Sequence, residues 1–289
     1  MTAAAGDEGR RMEARRRRTD PRPGVVRIAA VGDFHCGVED VGKYREHFAR
    51  VNEEADVLLL AGDLTRRGTP PEIKVVLGEL ADVRIPILAV LGNHDHESGR
   101  VEEAKALLRE HDRIHLLGAE PFELNEHVGI AGVKGFMGGF GRWTLTAFGE
   151  AATKEFVGTT IEEAQTLEFA LRRLATPIRV VLLHYSPTVD TVMGEPETIH
   201  AFLGNDRLAE PIDRFGAAVV FHGHAHHGTF SGKTAGGVPV FNVSLSLIRQ
   251  EGVGEMYYIY EIPIPAEAER EAPATMEPAP LTSGAPESA

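Results

Sequence analysis

The sequence predicts an α/β layered fold built on a mixed sheet, or two stacked sheets, rather than a purely doubly wound one. Three observations carry this. Short apolar runs recur, each ending in a turn signal: VVRIAAVGD (25–33), DVLLLAGD (56–63), IPILAVLGN (85–93), IRVVLLH (178–184) and AVVFHG (218–223). Runs of this length and composition read as strands buried on both faces. Helix-like stretches separate several of them, and strand–helix alternation builds α/β layers. The C-terminal third changes character, because VPVFNVSL (238–245) and EMYYIYEI (255–262) read as antiparallel strands.

The predicted helices fall at 40–54, 70–81, 99–111 and 160–174. Pro70 and Pro71 suit the first turn of the second. VEEAKALLRE, apolar at 101, 104, 107 and 108, is the clearest amphipathic segment. The ends carry no apolar pattern. Residues 1–23 form an Arg-rich arm and 265–289 a Pro/Ala/Glu-rich tail, both expected to be disordered, which leaves 24–264 as the folded domain.

Composition excludes several classes. A chain of 289 residues that is 43% hydrophobic and 25% charged can bury a substantial core. No run of about eighteen apolar residues exists to span a bilayer. Arg10, Arg11 and Arg15–Arg18 are followed by no apolar segment, so they do not open a secretory signal. A net charge of −13 argues against a nucleic-acid partner. Cys36 stands alone, so no internal disulfide forms; a reducing cytoplasm is the expected location. Nothing in the sequence speaks to oligomeric state.

Thirteen histidines are many for this length, and their placement is informative. Asp33 and His35 follow the first apolar run, Asp63 the second, and Asn93, His94 and Asp95 the third. His184 ends the fourth, and His222, His224 and His226 close the fifth. Each cluster alone is ordinary: Gly-Asp is turn chemistry, Asn and Asp cap helices, and a histidine on an apolar strand is usually hydrogen-bonded in the core. Five together, all at strand carboxyl ends, are not explained by turn preferences. That edge of an α/β sheet is where ligands bind, so segments distant in sequence are expected to meet there in one site.

GDFHCG (32–37), GDLTRRG (62–68), GNHD (92–95), the His of LLHYSP (182–187) and GHAH (223–226) resemble, in this order, the five motifs of the calcineurin-like metallophosphoesterases. The resemblance implies the four-layer α/β/β/α sandwich of that family, two mixed β-sheets flanked by helices. It also implies two divalent metal ions, one held by Asp33, His35 and His226, the other by Asn93, His184 and His224, with Asp63 bridging them. A carboxylate spanning two cations reduces their repulsion at the roughly 3.5–4 Å separation of two-metal sites. Neutral imidazoles and an amide complete the shells without excess negative charge. A water shared by the pair would lose its proton near neutral pH and attack phosphorus. His94 takes the family's catalytic position, assisting the leaving oxygen, and Asp95 is expected to orient its ring. An oxygen and nitrogen donor set suits Mn, Fe, Zn or Ni.

Departures narrow the class. Arg66 stands where purple acid phosphatases carry a metal-binding Tyr, and Leu91 and Asp95 stand where protein phosphatases carry an Arg and a Glu. The expected activity is hydrolysis of a small phosphomonoester or phosphodiester, a cyclic nucleotide included. A nuclease of the same superfamily and a catalytically silent metal-binding scaffold are the alternatives. Arg66 and Arg67, just past the bridging Asp, are candidate phosphate contacts. In GFMGGFGRW (135–143), Phe140 and Trp143 are candidates to cover the site.

Overall fold

A computed structural model describes residues 24–264. The arm expected at 1–23 and the tail at 265–289 lie outside the described residues. Eleven strands form two mixed sheets among these residues. The first sheet runs β11 (Tyr258–Pro263), β1 (Val25–Val31), β2 (Val57–Ala61), β3 (Ile87–Val90), β4 (Ile114–Leu116), parallel throughout except for β11. The second runs β5 (Phe122–Glu123), β6 (Val128–Val133), β7 (Ile178–Leu183), β8 (Val219–His222), β10 (Pro239–Asn242), β9 (Ser231–Lys233). Its centre is parallel and its two edge strands are antiparallel.

The alternation of side chains along each strand makes four layers of this. On β7, Val180 and Leu182 pack inward with Ile28, Leu59 and Leu88 of the first sheet, whereas Val181 and Leu183 face Leu167, Ala170 and Leu171 of the helix Ala151–Arg173. Phe48, Ile73, Val76, Leu80 and Leu108 cover the first sheet from the opposite side. Each such side chain, fully buried, stabilises the fold by about 1.5–3 kcal/mol. The predicted α/β sandwich is the observed one. Among the described residues no helix is long and apolar enough to cross a membrane.

Several local expectations need correction. The helix predicted over 40–54 starts only at Arg45 and runs as the short helices Arg45–Ala49 and Val51–Glu54; Gly42 takes a left-handed φ of 78° and Glu79 captures the chain ahead of them, which delays the start. Its buried carboxylate accepts from Gly42 N (2.5 Å) and Tyr44 N (2.6 Å). The helix predicted over 160–174 starts at Ala151, since Phe156 packs on Phe136 (ring centroids 5.1 Å apart) and Val157 is buried. Segment 238–245 is antiparallel to β9 only; β10 pairs in parallel with β8 and ends at Asn242, after which Leu245–Gln250 is helical. The helix Pro70–Leu80 agrees with its prediction. Thr69 caps it through Glu72, whose carboxylate accepts from Thr69 N (3.0 Å) and Thr69 Oγ1 (2.9 Å).

Candidate metal centre

The carboxyl ends of β1, β2, β3, β7 and β8 meet at one edge of the sandwich and bring the expected residues together. Ligand atoms of Asp33, His35 and His226 lie within 4.8 Å of one another, as do those of Asp63, His184 and His224. His226 Nε2 is 3.1 Å from Asp33 Oδ1 and 3.3 Å from His35 Nε2. Asp63 reaches both groups: its Oδ1 is 3.5 Å from His184 Nε2 and its Oδ2 is 3.9 Å from His35 Nε2. Asn93 Oδ1 sits 2.9 Å from His184 Nε2. Donor atoms about 2.1 Å from a shared cation lie about 3.0–3.4 Å from each other, close to several of these separations.

Backbone strain marks the same residues. Among the described residues, the non-glycine positions with positive φ are Asp33 (56°), His35 (42°), Asp63 (49°) and His224 (71°). Each left-handed residue costs on the order of 1–2 kcal/mol, and such strain concentrates at functional sites. All four are expected ligands. Glycine permits the crowding around them. A Cβ on Gly92 would collide with the Asp63 carboxylate, and one on Gly223 with that of Asp33.

Second partners set the imidazole faces. His184 Nδ1 is 2.9 Å from the Ala61 carbonyl and therefore carries the proton, which turns the Nε2 lone pair toward Asp63 and Asn93. His224 Nε2 donates to the Phe202 carbonyl at 3.2 Å, leaving Nδ1 free to accept or ligate. Burial, opposed only in part by Asp33, lowers His35 to about 4 and carries His184 well below its ordinary value. Both rings are neutral at pH 7, the form that binds metal. Burial by itself would raise Asp33, but the His226 hydrogen bond, the His226 charge and the His224 backbone N–H hold it below the usual carboxylate range. Asp63 goes the other way, pushed up to about 9 by burial and then by the charges of Asp33 and Asp95. Buried carboxylates, neutral imidazoles and an amide oxygen are hard and borderline donors of the kind divalent metals take. The donor set therefore fits divalent metals.

A pH dependence follows from Asp63. In the metal-free chain its folded value lies above its unfolded one, so its contribution to stability is complete below about pH 4 and is lost as pH rises toward 9. Metal loading near pH 7 must displace that proton and any held by His226, whose value is raised by its bond to Asp33. We expect about one to two protons released per chain, measurable by calorimetric titration of Mn into stripped protein in buffers of different ionisation enthalpy. Loading without proton release would contradict this electrostatic picture.

His94 lies at the rim, its side chain 39% exposed. Its backbone N donates to Asp63 Oδ1 (2.8 Å), and its Nδ1 donates to the Arg66 carbonyl (2.8 Å) with Glu97 Oε2 at 3.5 Å. Nε2 is left for another partner. His94 also falls within ligand reach of His35 and Asp63. The role expected of Asp95 is different in the structure. Asp95 is fully buried and accepts from Leu64 N, Thr65 N, Thr65 Oγ1 and Gly92 N, with no bond to the His94 ring. It ties the loop of Asp63 to the turn of Asn93, whereas the Arg66 carbonyl and Glu97 orient His94. A backbone carbonyl carries no sequence signal, although Glu97 at i+3 was readable as a partner.

The substrate candidates disperse. Arg66 is held by Glu39 and by Asp40 (3.2 Å), so its guanidinium is engaged by carboxylates. Arg67 is exposed beside the helix Pro70–Leu80, its N donating to Glu72. Phe140 packs against Val192, Leu203 and Ala225, the last lying between His224 and His226. Trp143 is 73% exposed with the Arg142 guanidinium 4.5 Å from its ring. His222 is a core residue held by the Gly223 carbonyl and Thr191 Oγ1, each at 2.8 Å. Cys36 is buried, its thiol raised to about 12 by burial and by Asp40 and Glu79.

Carboxylates and imidazoles gathered in two adjoining groups at the strand ends of a β-sandwich define a candidate dinuclear hydrolase centre. The chain belongs to the calcineurin-like phosphoesterase family, whose model matches residues 26–228. It is 25% identical over 100 residues to a probable cyclic nucleotide phosphodiesterase of Fibrobacter succinogenes, covering 32% of this chain and 38% of that one. It is 37% identical over 87 residues to a symmetrical bis(5'-nucleosyl)-tetraphosphatase of Pseudomonas syringae, covering 30% and 29%. The matched segments thus span well under half of either relative. In fold it is similar to phosphopantetheinyl hydrolase from Mycobacterium tuberculosis (TM-score 0.58, 15% identity, 81% of this chain and 95% of that one). A Thermus thermophilus structure is also similar (TM-score 0.51, 18% identity, 77% and 91%).

Proposed function

We propose that the chain hydrolyses a small phosphate ester, monoester or diester, at a centre of two divalent cations. The observation that carries this is the coincidence of the four strained non-glycine residues with the expected ligands Asp33, His35, Asp63 and His224. Strain of that kind persists where a site over-determines it.

In this reading Asp33, His35 and His226 would hold one cation and Asn93, His184 and His224 the other, with Asp63 placed to serve both. Bound there, the cations would supply Lewis acidity at the phosphoryl group and make water a nucleophile near neutral pH. The protein supplies the rest. Ala61 and Phe202 carbonyls lock the tautomers of His184 and His224. Asp95 clamps the two loops that carry Asp63 and Asn93. His94 is oriented by donating Nδ1–H to the Arg66 carbonyl, and in its doubly protonated form it would present Nε2–H to the departing oxygen, ending as the neutral imidazole. Cyclic nucleotides and dinucleoside polyphosphates are the substrate classes that the two curated relatives' names suggest.

The test is hydrolysis of p-nitrophenyl phosphate and bis-p-nitrophenyl phosphate, side by side, by stripped protein reloaded with Mn, Fe, Zn or Ni. Turnover of either that needs the metal supports the reading, and the ratio assigns monoester or diester. Two bound metals with no turnover on either ester or on cyclic nucleotides would favour a binding role.

A further inference from the structure

A cavity lies beside the turn that carries Asn93 and His94. The expected ligands stand above β1, β2 and β3 of one sheet and β7 and β8 of the other. One strand further out, past the ends of β3, β4 and β6, lies a cavity of about 490 Å³. Its apolar wall includes Leu91, Leu117 and Val133, and its polar wall His96, Lys105 and Lys134. It shares structure with the centre: Leu91 and His96 bracket the turn that carries Asn93 and His94, and the Lys134 carbonyl accepts from His184 N at 3.1 Å.

Lys134 is the unusual group here. Its side chain is 17% exposed, and its Nζ lies 4.8 Å from the Phe136 ring centroid and 5.2 Å from that of Tyr185. An ammonium has three donors. One reaches the Gly135 carbonyl (2.7 Å), and the carboxylate beside it, Glu163, stays at 3.9 Å while accepting from Gly135 N at 2.9 Å. Glu120, also in the wall, is held by Arg173, and Glu162 lies on the same helix as Glu163. The lysine is thus fixed between aromatic faces with donors left over, its nearest acid, Glu163, pairing with it at 3.9 Å but beyond hydrogen-bond range.

We propose that this cavity receives the leaving group of the substrate, and that Lys134 binds an anionic oxygen group, carboxylate or phosphoryl, borne on it. The inference rests on the phosphoesterase reading and deepens it. The wall also carries Arg109, and Lys105 is paired with Glu102 at 2.7 Å, so Lys134 is the cation fixed between aromatic rings among charges of both signs. An apolar wall with a few placed polar groups is the usual build of a specificity pocket, and this one lies beside the Asn93–His94 turn.

The experiment compares phenyl phosphate with 4-carboxyphenyl phosphate and 4-phosphonophenyl phosphate on the Mn-loaded protein, or their methyl diesters if only diesters are cleaved. The scissile bond is constant and only the anionic substituent changes. We expect kcat/KM about tenfold or more higher for at least one charged ester, corresponding to about 1.4 kcal/mol, and the two arms say whether carboxylate or phosphoryl is preferred. Lys134→Met should bring the ratio near one, Lys134→Arg should keep most of it, and Lys105→Met, at the cavity rim, should lower it partly. Thermal melts confirm that each variant folds. Equal kcat/KM for neutral and charged esters in the wild type overturns the subsite and leaves the phosphoesterase standing, as does a preference that survives Lys134→Met. Should no ester turn over, the hydrolase reading fails, and calorimetry with 4-hydroxybenzoate against phenol then decides the subsite: no Lys134-dependent advantage for the acid overturns it.

Discussion

Asp63→Asn should abolish turnover, by at least about 10³-fold in kcat, and leave the protein with less than its full complement of two metals. The carboxylate is 1% exposed and its two oxygens address opposite groups, Oδ1 toward His184 and Oδ2 toward His35. An amide of the same shape can still accept from His94 N, but it brings no charge and turns an NH₂ toward one of the two groups. Losing one shared anionic ligand removes several kcal/mol of charge stabilisation, and each 1.36 kcal/mol is tenfold in rate. The same substitution should raise the stability of the metal-free chain at pH 7–8, because burial and the neighbouring Asp33 and Asp95 make the Asp63 charge costly there. The gain is on the order of a few kcal/mol and shrinks below about pH 4, where the wild-type carboxyl is protonated in both states. Metal content by mass spectrometry, ester hydrolysis and melts across pH read all three effects. An Asn variant that keeps two metals and wild-type turnover would remove Asp63 from its proposed place.

His94→Ala should separate binding from chemistry. The side chain approaches the centre from the rim and is oriented by groups outside the expected ligand set, the Arg66 carbonyl and Glu97. Removing it should leave both metals bound and lower kcat by about 10²–10⁴-fold, the range for one positioned acid or base. The loss should be smaller for esters whose leaving group departs without a proton, so p-nitrophenyl esters should suffer less than alkyl esters. Because His94 also lies within ligand reach of His35 and Asp63, a second outcome is informative. Loss of one metal in His94→Ala would make it a ligand and refute its assignment as the acid.

Arg66 and Asp95 show where sequence reasoning reached its limit. Each was assigned a role by its side chain: Arg66 as a grip for phosphate, Asp95 as the orienter of His94. In the folded chain the Arg66 side chain is engaged by Glu39 and Asp40, and its backbone carbonyl orients the histidine. Asp95 is occupied by N–H groups of Leu64 and Thr65, some thirty residues away. Every residue type carries a backbone carbonyl and nearly every one an N–H, so such partners leave no mark in composition or spacing. The late start of the helix predicted over 40–54 has the same origin, in backbone N–H groups captured by the buried Glu79 carboxylate. The parallel pairing of β10 was equally hidden, because strand periodicity reports which face is buried and not which neighbour is paired.

What the sequence determined by itself was the α/β class, the strands β1, β2, β3, β7 and β8 though not the equally buried β6, and the set of residues at their carboxyl ends that converge on one edge. That information is local: apolar runs must be buried, and residues at the carboxyl ends of parallel strands share one edge of the sheet. Only the tertiary structure decided how those side chains are aimed, through left-handed backbone at Asp33, His35, Asp63 and His224 and carbonyl acceptors on His94, His184 and His224. It also decided that a cavity holding Lys134 opens beside them. These features depend on contacts between segments far apart in the chain, and a pattern read along one strand at a time contains no term for them.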